Sequence, residues 1–139
     1  MTTDSNIERA RNFFRLVPHS MALQMRLDSI GSGQAELSMP YSPDLIGDPE
    51  TGILHGGAVS ALLDSCAGVA VFSHPEVRQG TATLTLTINY MRPAQPGLRI
   101  FARAECFHVT RYVAFARVTA TDSENGPLVA TATGAFTVG

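Results

Sequence analysis

Residues Leu54 to Gly68 read LHGGAVSALLDSCAG, a glycine pair opening a long apolar stretch in which Asp64 is the single charged side chain. An ionised carboxylate beside Leu62, Leu63 and Cys66 costs free energy unless it is paired or solvated. Any fold of this chain must therefore give Asp64 a partner, water or a task. Counting from Gly57, the residues three, four, seven and eleven places on are Ser60, Ala61, Asp64 and Gly68, one stripe of small or polar side chains at helical spacing. Val59, Leu62, Leu63, Cys66 and Val69 fill most of the remaining surface. The stretch thus predicts a helix with one narrow face that carries the acid. Gly56 and Gly57 leave its first amides uncrowded, and these are donors at the positive end of the helix dipole. They suit a carbonyl oxygen that gains negative charge.

Gly57 and Asp64 lie seven residues apart, roughly 10 Å along a helix axis at 1.5 Å per residue. One small reacting group cannot touch both. Two copies of the helix packed antiparallel about a two-fold axis would bring the amides of one chain near the acid of the other. A catalytic site built on these residues is expected to be shared between subunits.

A chain of 139 residues has room for one domain with a sizeable core, expected to run over residues 1–139. A formal charge of −2, with Lys and Arg scattered, supplies no basic footprint for nucleic acid. Cys66 and Cys106 sit in apolar segments without paired spacing, which reads as buried free thiols in a reducing compartment. The polar, acidic start of the chain lacks the order of a secretion signal, and the apolar run from Gly56 to Phe72 is interrupted by Asp64. The expectation is a soluble cytoplasmic protein with no membrane partner. The four histidines and two cysteines show no metal-ligand spacing, so neither metal nor cofactor is expected.

Along the chain, Ile7, Ala10, Phe13, Phe14 and Val17 recur at helical spacing, predicting a first helix over Ile7 to Leu16, capped by Ser5 and ended by Pro18. Phe13 and Phe14 suit either packing on the sheet or the mouth of a pocket. Leu23 to Ile30 and Gln34 to Met39 read as antiparallel strands around a Gly31-Ser32-Gly33 turn. Pro40 to Gly52 reads as a loop, in which Asp48 and Glu50 form turns or touch a substrate. After the long helix come strands over Thr81 to Tyr90, Leu98 to Val109, Tyr112 to Thr121 and Leu128 to Val138. In the first of these, strict alternation puts Ala82, Leu84, Leu86, Ile88 and Tyr90 on a buried face and Thr81, Thr83, Thr85, Thr87 and Asn89 on a polar one. The inward rows of the others read Ile100, Ala102, Ala104, Cys106; Ala114, Ala116, Val118, Ala120; and Leu128, Ala130, Ala132, Gly134. Such small residues imply a strongly curved sheet lying close to the helix. The expected fold class is α+β, an antiparallel sheet of five or six strands wrapped around one long central helix, with a short N-terminal helix.

This order of elements, with His55-Gly56-Gly57 followed by Asp64, and the strand Leu84 to Met91 running into Arg92-Pro93-Ala94, resembles the hot-dog fold thioesterases. It is most similar to the acyl-CoA thioesterases like those of the phenylacetic acid pathway (PaaI-like). The resemblance covers nearly the whole chain. It implies an acyl-CoA substrate, no cofactor, and sites at subunit interfaces in a homodimer or a dimer of dimers, a homotetramer. It further implies that Asp64 acts as nucleophile or as general base for water, while Gly57 and its neighbour Gly56 present the amides that hold the thioester oxygen. His55 matches a position near the substrate carbonyl, but a histidine there also serves to fasten the loop. Thr83 matches a residue that orients water in some relatives, although alternation turns it away from the buried row unless the strand start is bulged. Relatives place an asparagine or glutamine where this chain has Asp48-Pro49-Glu50, which leaves the positioning of water unassigned.

Arg92, Arg103 and Arg111 are candidates for the CoA phosphates or are ordinary surface charges. Lipase-type hydrolases share an HGG loop but need a Gly-x-Ser-x-Gly elbow, which this sequence lacks. Two other functions compete with hydrolysis. One is a hydratase or dehydratase using His55 with Asp64, and the other is a non-catalytic acyl-CoA-binding or regulatory module in which Asp64 only makes interfacial hydrogen bonds.

Overall fold

A computed structural model describes residues 3–139. Helix α1 spans Thr3–Leu16 and a short α2 spans Pro18–Ala22; they are followed by β1 (Arg26–Gly31) and β2 (Gln34–Met39). A 3-10 turn at Pro43–Leu45 and a small hairpin, β3 (Ile46–Asp48) with β4 (Ile53–Leu54), lead into α3 (Gly56–Ser73). Four strands complete the chain: β5 (Thr83–Tyr90), β6 (Ile100–Val109), β7 (Val113–Thr121) and β8 (Leu128–Thr137). The six long strands form one antiparallel sheet in the order β1-β2-β6-β7-β8-β5. This curved sheet wraps α3, the arrangement of the hot-dog fold.

The wrapping is close because the sheet is lined with alanine. Ala102, Ala104, Ala114, Ala116, Ala120, Ala130 and Ala132 are all buried against the core. The bulk comes from the helix, where Leu62, Leu63, Cys66 and Val71 are fully enclosed. Each buried leucine contributes about 1.5–3 kcal/mol relative to exposure. By length and composition α3 could cross a bilayer, yet it is the buried core helix of this fold. Its thiol at Cys66 is pushed up to about 12 by burial, and Cys106 on β6 to about 11, so both free cysteines are inert at neutral pH.

The structure corrects the expected boundaries at several points. Ser5 lies inside α1 rather than capping it, since the helix already begins at Thr3. Pro18 ends α1 but also starts α2, using its fixed φ at a first helical position, so residues 18–22 are helical and the first strand begins at Arg26 instead of Leu23. Leu128 does not face inward. The β7–β8 ladder shifts register between Ala120 and Thr121, which buries Val129 and leaves Leu128 40% exposed.

The largest departure concerns β5. It is an edge strand, so Leu84 and Tyr90, expected in a buried row, are about half exposed. Its ladder with β8 also slips: Leu86 faces Gly134 and Ile88 faces Ala132, but Phe136 is met by Thr83 rather than Leu84. The extra residue is a bulge. Gly134 makes it possible, because a Cβ there would lie 2.8 Å from the Thr85 carbonyl oxygen. Past the bulge the alternation is inverted. Thr83 turns to the helix side with buried Phe136, and Leu84 turns out, 53% exposed.

Candidate active site

The uncovered stripe of α3 is the one expected from its sequence. Gly57 is exposed, while Ser60, Ala61, Asp64 and Gly68 are half-buried, in contrast to the enclosed leucines on the other faces. Thr83, delivered by the bulge, donates its hydroxyl to Asp64 Oδ1 at 2.7 Å. The acid thus has its partner, 19 residues away in sequence. Among the described residues Asp64 Oδ2 accepts no hydrogen bond, so one carboxylate oxygen is fixed and the other is open to chemistry.

The helix start is built by three separate elements. His55 is the N-cap residue, and its Nδ1 accepts the Gly57 N–H at 2.8 Å. The His55 carbonyl accepts from Ala58 N. Tyr90, at the far end of β5, donates its hydroxyl to the Gly56 carbonyl at 2.9 Å. The β3–β4 hairpin closes over the cap, and Gly47 allows it, since a Cβ at that position would sit 2.7 Å from His55 Cα. Asp48, on the same hairpin, turns its carboxylate to Glu50 N and Thr51 Oγ1, which makes it a turn former. An open cleft of about 340 Å³ lies here, walled by His19, Leu45, His55, Gly57 and Ala61.

Asp64 and Gly57 belong to opposite ends of one face, and the cleft at the cap is lined by Gly57 but not by Asp64. Asp64 pairs with the start of β5 at Thr83, whereas Gly56 is tied to its end at Tyr90. Arg111 joins neither group. It lies in the β6–β7 turn, its guanidinium 5.3 Å from the centre of the Tyr112 ring, in a cleft with Arg78, Gln79 and Gly139. Its turn abuts the end of β8 that pairs with Thr83, two strand spacings or roughly 10 Å from that threonine.

Two arginines considered for phosphate binding are committed elsewhere. Arg103 donates to Glu36 at 2.8 Å, its registered neighbour on β2. Arg92 makes a two-pronged bond to Asp122 at 2.9 and 2.8 Å and also donates to the Pro127 carbonyl. Asp122, 7% exposed, accepts from Gln95 N as well. The guanidinium holds its carboxyl down at about 2. This clamp fixes the connection between β5 and β6. No sequence signal links Arg92 to Asp122, or Tyr90 to Gly56, because each pair is 30 or more residues apart.

With this geometry in place, comparison with known proteins is decisive. The thioesterase superfamily matches residues 51–129, which include the cap, Asp64 and Thr83. The chain belongs to that superfamily. It is a thioester hydrolase of the PaaI-like kind. Over 136 residues it is 30% identical to the medium/long-chain acyl-CoA thioesterase YigI of Escherichia coli, covering 88% of this chain and 86% of the relative. A thioesterase family protein from Silicibacter pomeroyi superposes with a TM-score of 0.85 at 32% identity, covering 96% of this thioesterase and 99% of that chain. The PaaI protein of the Escherichia coli phenylacetic acid degradation operon shares the fold, with a TM-score of 0.87 at 18% identity over 99% of this chain and 96% of the other.

Proposed function

We propose that this thioesterase hydrolyses acyl-CoA in the cytoplasm as a homodimer or dimer of dimers, with Asp64 of one subunit and the Gly57 amide of its partner acting on one thioester. The observation that carries the proposal is the Asp64–Thr83 pair on the uncovered stripe of α3. Asp64 acts as general base: Oδ1 is held by the Thr83 hydroxyl, and Oδ2 takes a proton from water. The hydroxide oxygen attacks the carbonyl carbon, the carbonyl oxygen becomes an oxyanion against the helix amides, and the C–S bond then breaks to release the thiolate.

In the free chain the Gly57 N–H is spent on His55 Nδ1. The substrate carbonyl must displace the imidazole from that amide, forgoing a cap worth about 1 kcal/mol. His55 thus fastens the loop at rest and stands beside the carbonyl during turnover.

The shared site is supported by β5. Its outer edge is unpaired, and Leu84, Tyr90 and Met91 are exposed along it. An exposed edge with apolar side chains is a ready template for pairing with another chain. Antiparallel pairing of two β5 edges about a two-fold axis sets the Thr83 end of one strand against the Tyr90 end of the other. Asp64 of one subunit then faces the cap of its partner. One domain over residues 1–139, two buried free thiols and a reducing compartment accord with this reading.

The test is Asp64→Asn assayed on an acyl-CoA series with a thiol reagent, together with light scattering of the parent. Turnover is expected to fall about 100- to 10,000-fold, the usual weight of a general base, with acyl-CoA binding retained. A single turnover in ¹⁸O-water is expected to leave Asp64 unlabelled, whereas label in that side chain would establish direct attack. An active monomer would overturn the shared site.

A further inference from the structure

The peptide that joins Gly56 to Gly57 is gripped at both poles. Its N–H donates to His55 Nδ1 at 2.8 Å, and its carbonyl accepts the Tyr90 hydroxyl at 2.9 Å. Tyr90 also packs its ring at Gly56, with Cζ 3.5 Å from where a Cβ would stand. The phenol is presented from a braced position. Met91 N and Arg92 N, the next two backbone amides, both donate to the Val129 carbonyl, and the Arg92 guanidinium is clamped by Asp122. The bulge in β5 matters here as well. Thr83 and Tyr90 are seven residues apart, so strict alternation would send them to opposite faces of the sheet. The slipped ladder instead pairs Thr83 with Phe136 and Tyr90 with Ala130, and both side chains reach α3. One strand thus brings a hydroxyl to each end of the stripe, one to the acid and one to the helix start.

We infer that Tyr90 is a positioning residue of the hydrolysis, and that its hydroxyl strengthens, through the shared peptide bond, the hydrogen bond that Gly57 N–H gives to the thioester oxygen. The inference rests on the reading of Gly57 given above and adds a residue to it. A donor at a peptide carbonyl draws electron density to that oxygen and leaves the N–H at the other end more positive. Hydrogen bonds in a chain reinforce one another in this way by about 10–30% per bond. In the resting chain the gain goes to the His55 cap. In turnover it goes to the oxyanion, and bonds to a charged oxygen are roughly twice as strong as neutral ones. The hydroxyl therefore favours the transition state over the bound ester, whose carbonyl is neutral, and it acts on kcat while leaving KM nearly alone. An oxyanion donor contributes about 100- to 1,000-fold to kcat. A tenth to three-tenths of that free energy is roughly two- to eightfold. Tyr90 touches no substrate atom in this step and keeps its proton.

The experiment compares the parent with Tyr90→Phe and with a chain carrying 3-fluorotyrosine at position 90, whose hydroxyl is the stronger donor. Phenylalanine keeps the ring and removes only the hydroxyl, and circular dichroism and light scattering check fold and assembly. With acyl-CoA and a thiol reagent at pH 6.5, kcat is expected to fall about fivefold in Tyr90→Phe, with KM changed less than twofold. In the fluorinated chain kcat is expected to exceed that of the parent. A second readout needs no turnover. In the free protein labelled with ¹⁵N-glycine, the Gly57 amide nitrogen is expected to move upfield in Tyr90→Phe and downfield with fluorotyrosine. A Gly57 signal that stays in place shows that the hydroxyl does not act through the peptide. A flat kcat series with shifts that move as stated places the failure in the reading of Gly57 as oxyanion donor. Either result overturns the inference. So does a fluorinated chain no faster than Tyr90→Phe, which would reduce the tyrosine to a clasp on the helix start.

Discussion

Replacing Thr83 by valine tests whether the bulge in β5 serves catalysis. Valine keeps the β-branched shape, so the strand and its bulge should persist while the hydroxyl is lost. The bond removed is a 2.7 Å contact from a hydroxyl to a carboxylate oxygen. Hydrogen bonds to charged groups contribute about 1.5–3 kcal/mol. Because Asp64 is half-buried and water can replace part of the interaction, the lower end applies, about 1.5 kcal/mol, or roughly tenfold in rate. In the proposed mechanism Thr83 is a positioning residue that acts through Asp64. The expected result is thus a tenfold fall in kcat with KM changed less than twofold, measured by thiol release from acyl-CoA. Thr83→Ser should recover kcat to within about threefold of the parent, since it restores the donor. A valine variant with parental kcat would refute the reasoning. So would equal losses in serine and valine, which would place the effect in strand geometry instead of the hydroxyl.

Asp122→Asn should lower stability at pH 7 by about 1–2 kcal/mol in urea unfolding, a figure reduced for the 35% exposure of the Arg92 side chain. The Asp122 carboxyl falls from its ordinary 3.8 to about 2 in the folded chain, so the contribution is complete above about pH 4 and is lost as pH drops through 2. The parent should therefore lose stability more steeply than the variant across that window, and identical slopes would remove Asp122 as the cause. Arg111→Ala should raise KM for acyl-CoA several-fold, with kcat held and the salt dependence of KM reduced. KM for a thioester lacking the nucleotide should not move; if KM for acyl-CoA is also unchanged, Arg111 serves only its contact with Tyr112.

The sequence shows clearly what local periodicity controls. The stripe Ser60, Ala61, Asp64 and Gly68 and the alanine rows of β6 and β7 are written at fixed spacings, and all appear where that spacing puts them. Thr83 is different. Its face depends on how β5 seats against Gly134 and Phe136, some 50 residues later, and period-two alternation carries no record of a slip made by a neighbouring strand. The same holds for Leu128, displaced by a shift against β7. Charge pairing is equally silent, and Arg92 could be read as a free cation because Asp122 becomes its partner only when two connections close on each other. The cap at His55 lies between these cases. A histidine before two glycines signals a helix start, but the sequence does not say that the imidazole would occupy the amide proposed to hold the substrate carbonyl.

The inverted alternation in β5 makes strand register a functional quantity. A point substitution at residues 84 to 86 alters one contact, whereas a straight ladder, with Leu84 instead of Thr83 opposite Phe136, would rotate Thr83 by half a turn, away from Asp64, with every site side chain still encoded. Asp64 would keep its place on the helix and lose its Thr83 hydroxyl to solvent. The register of this short segment is therefore more tightly constrained than its exposed, threonine-rich surface would suggest. Gly134 is bound by the same constraint from the opposite strand, since any side chain there closes the space into which the bulge folds.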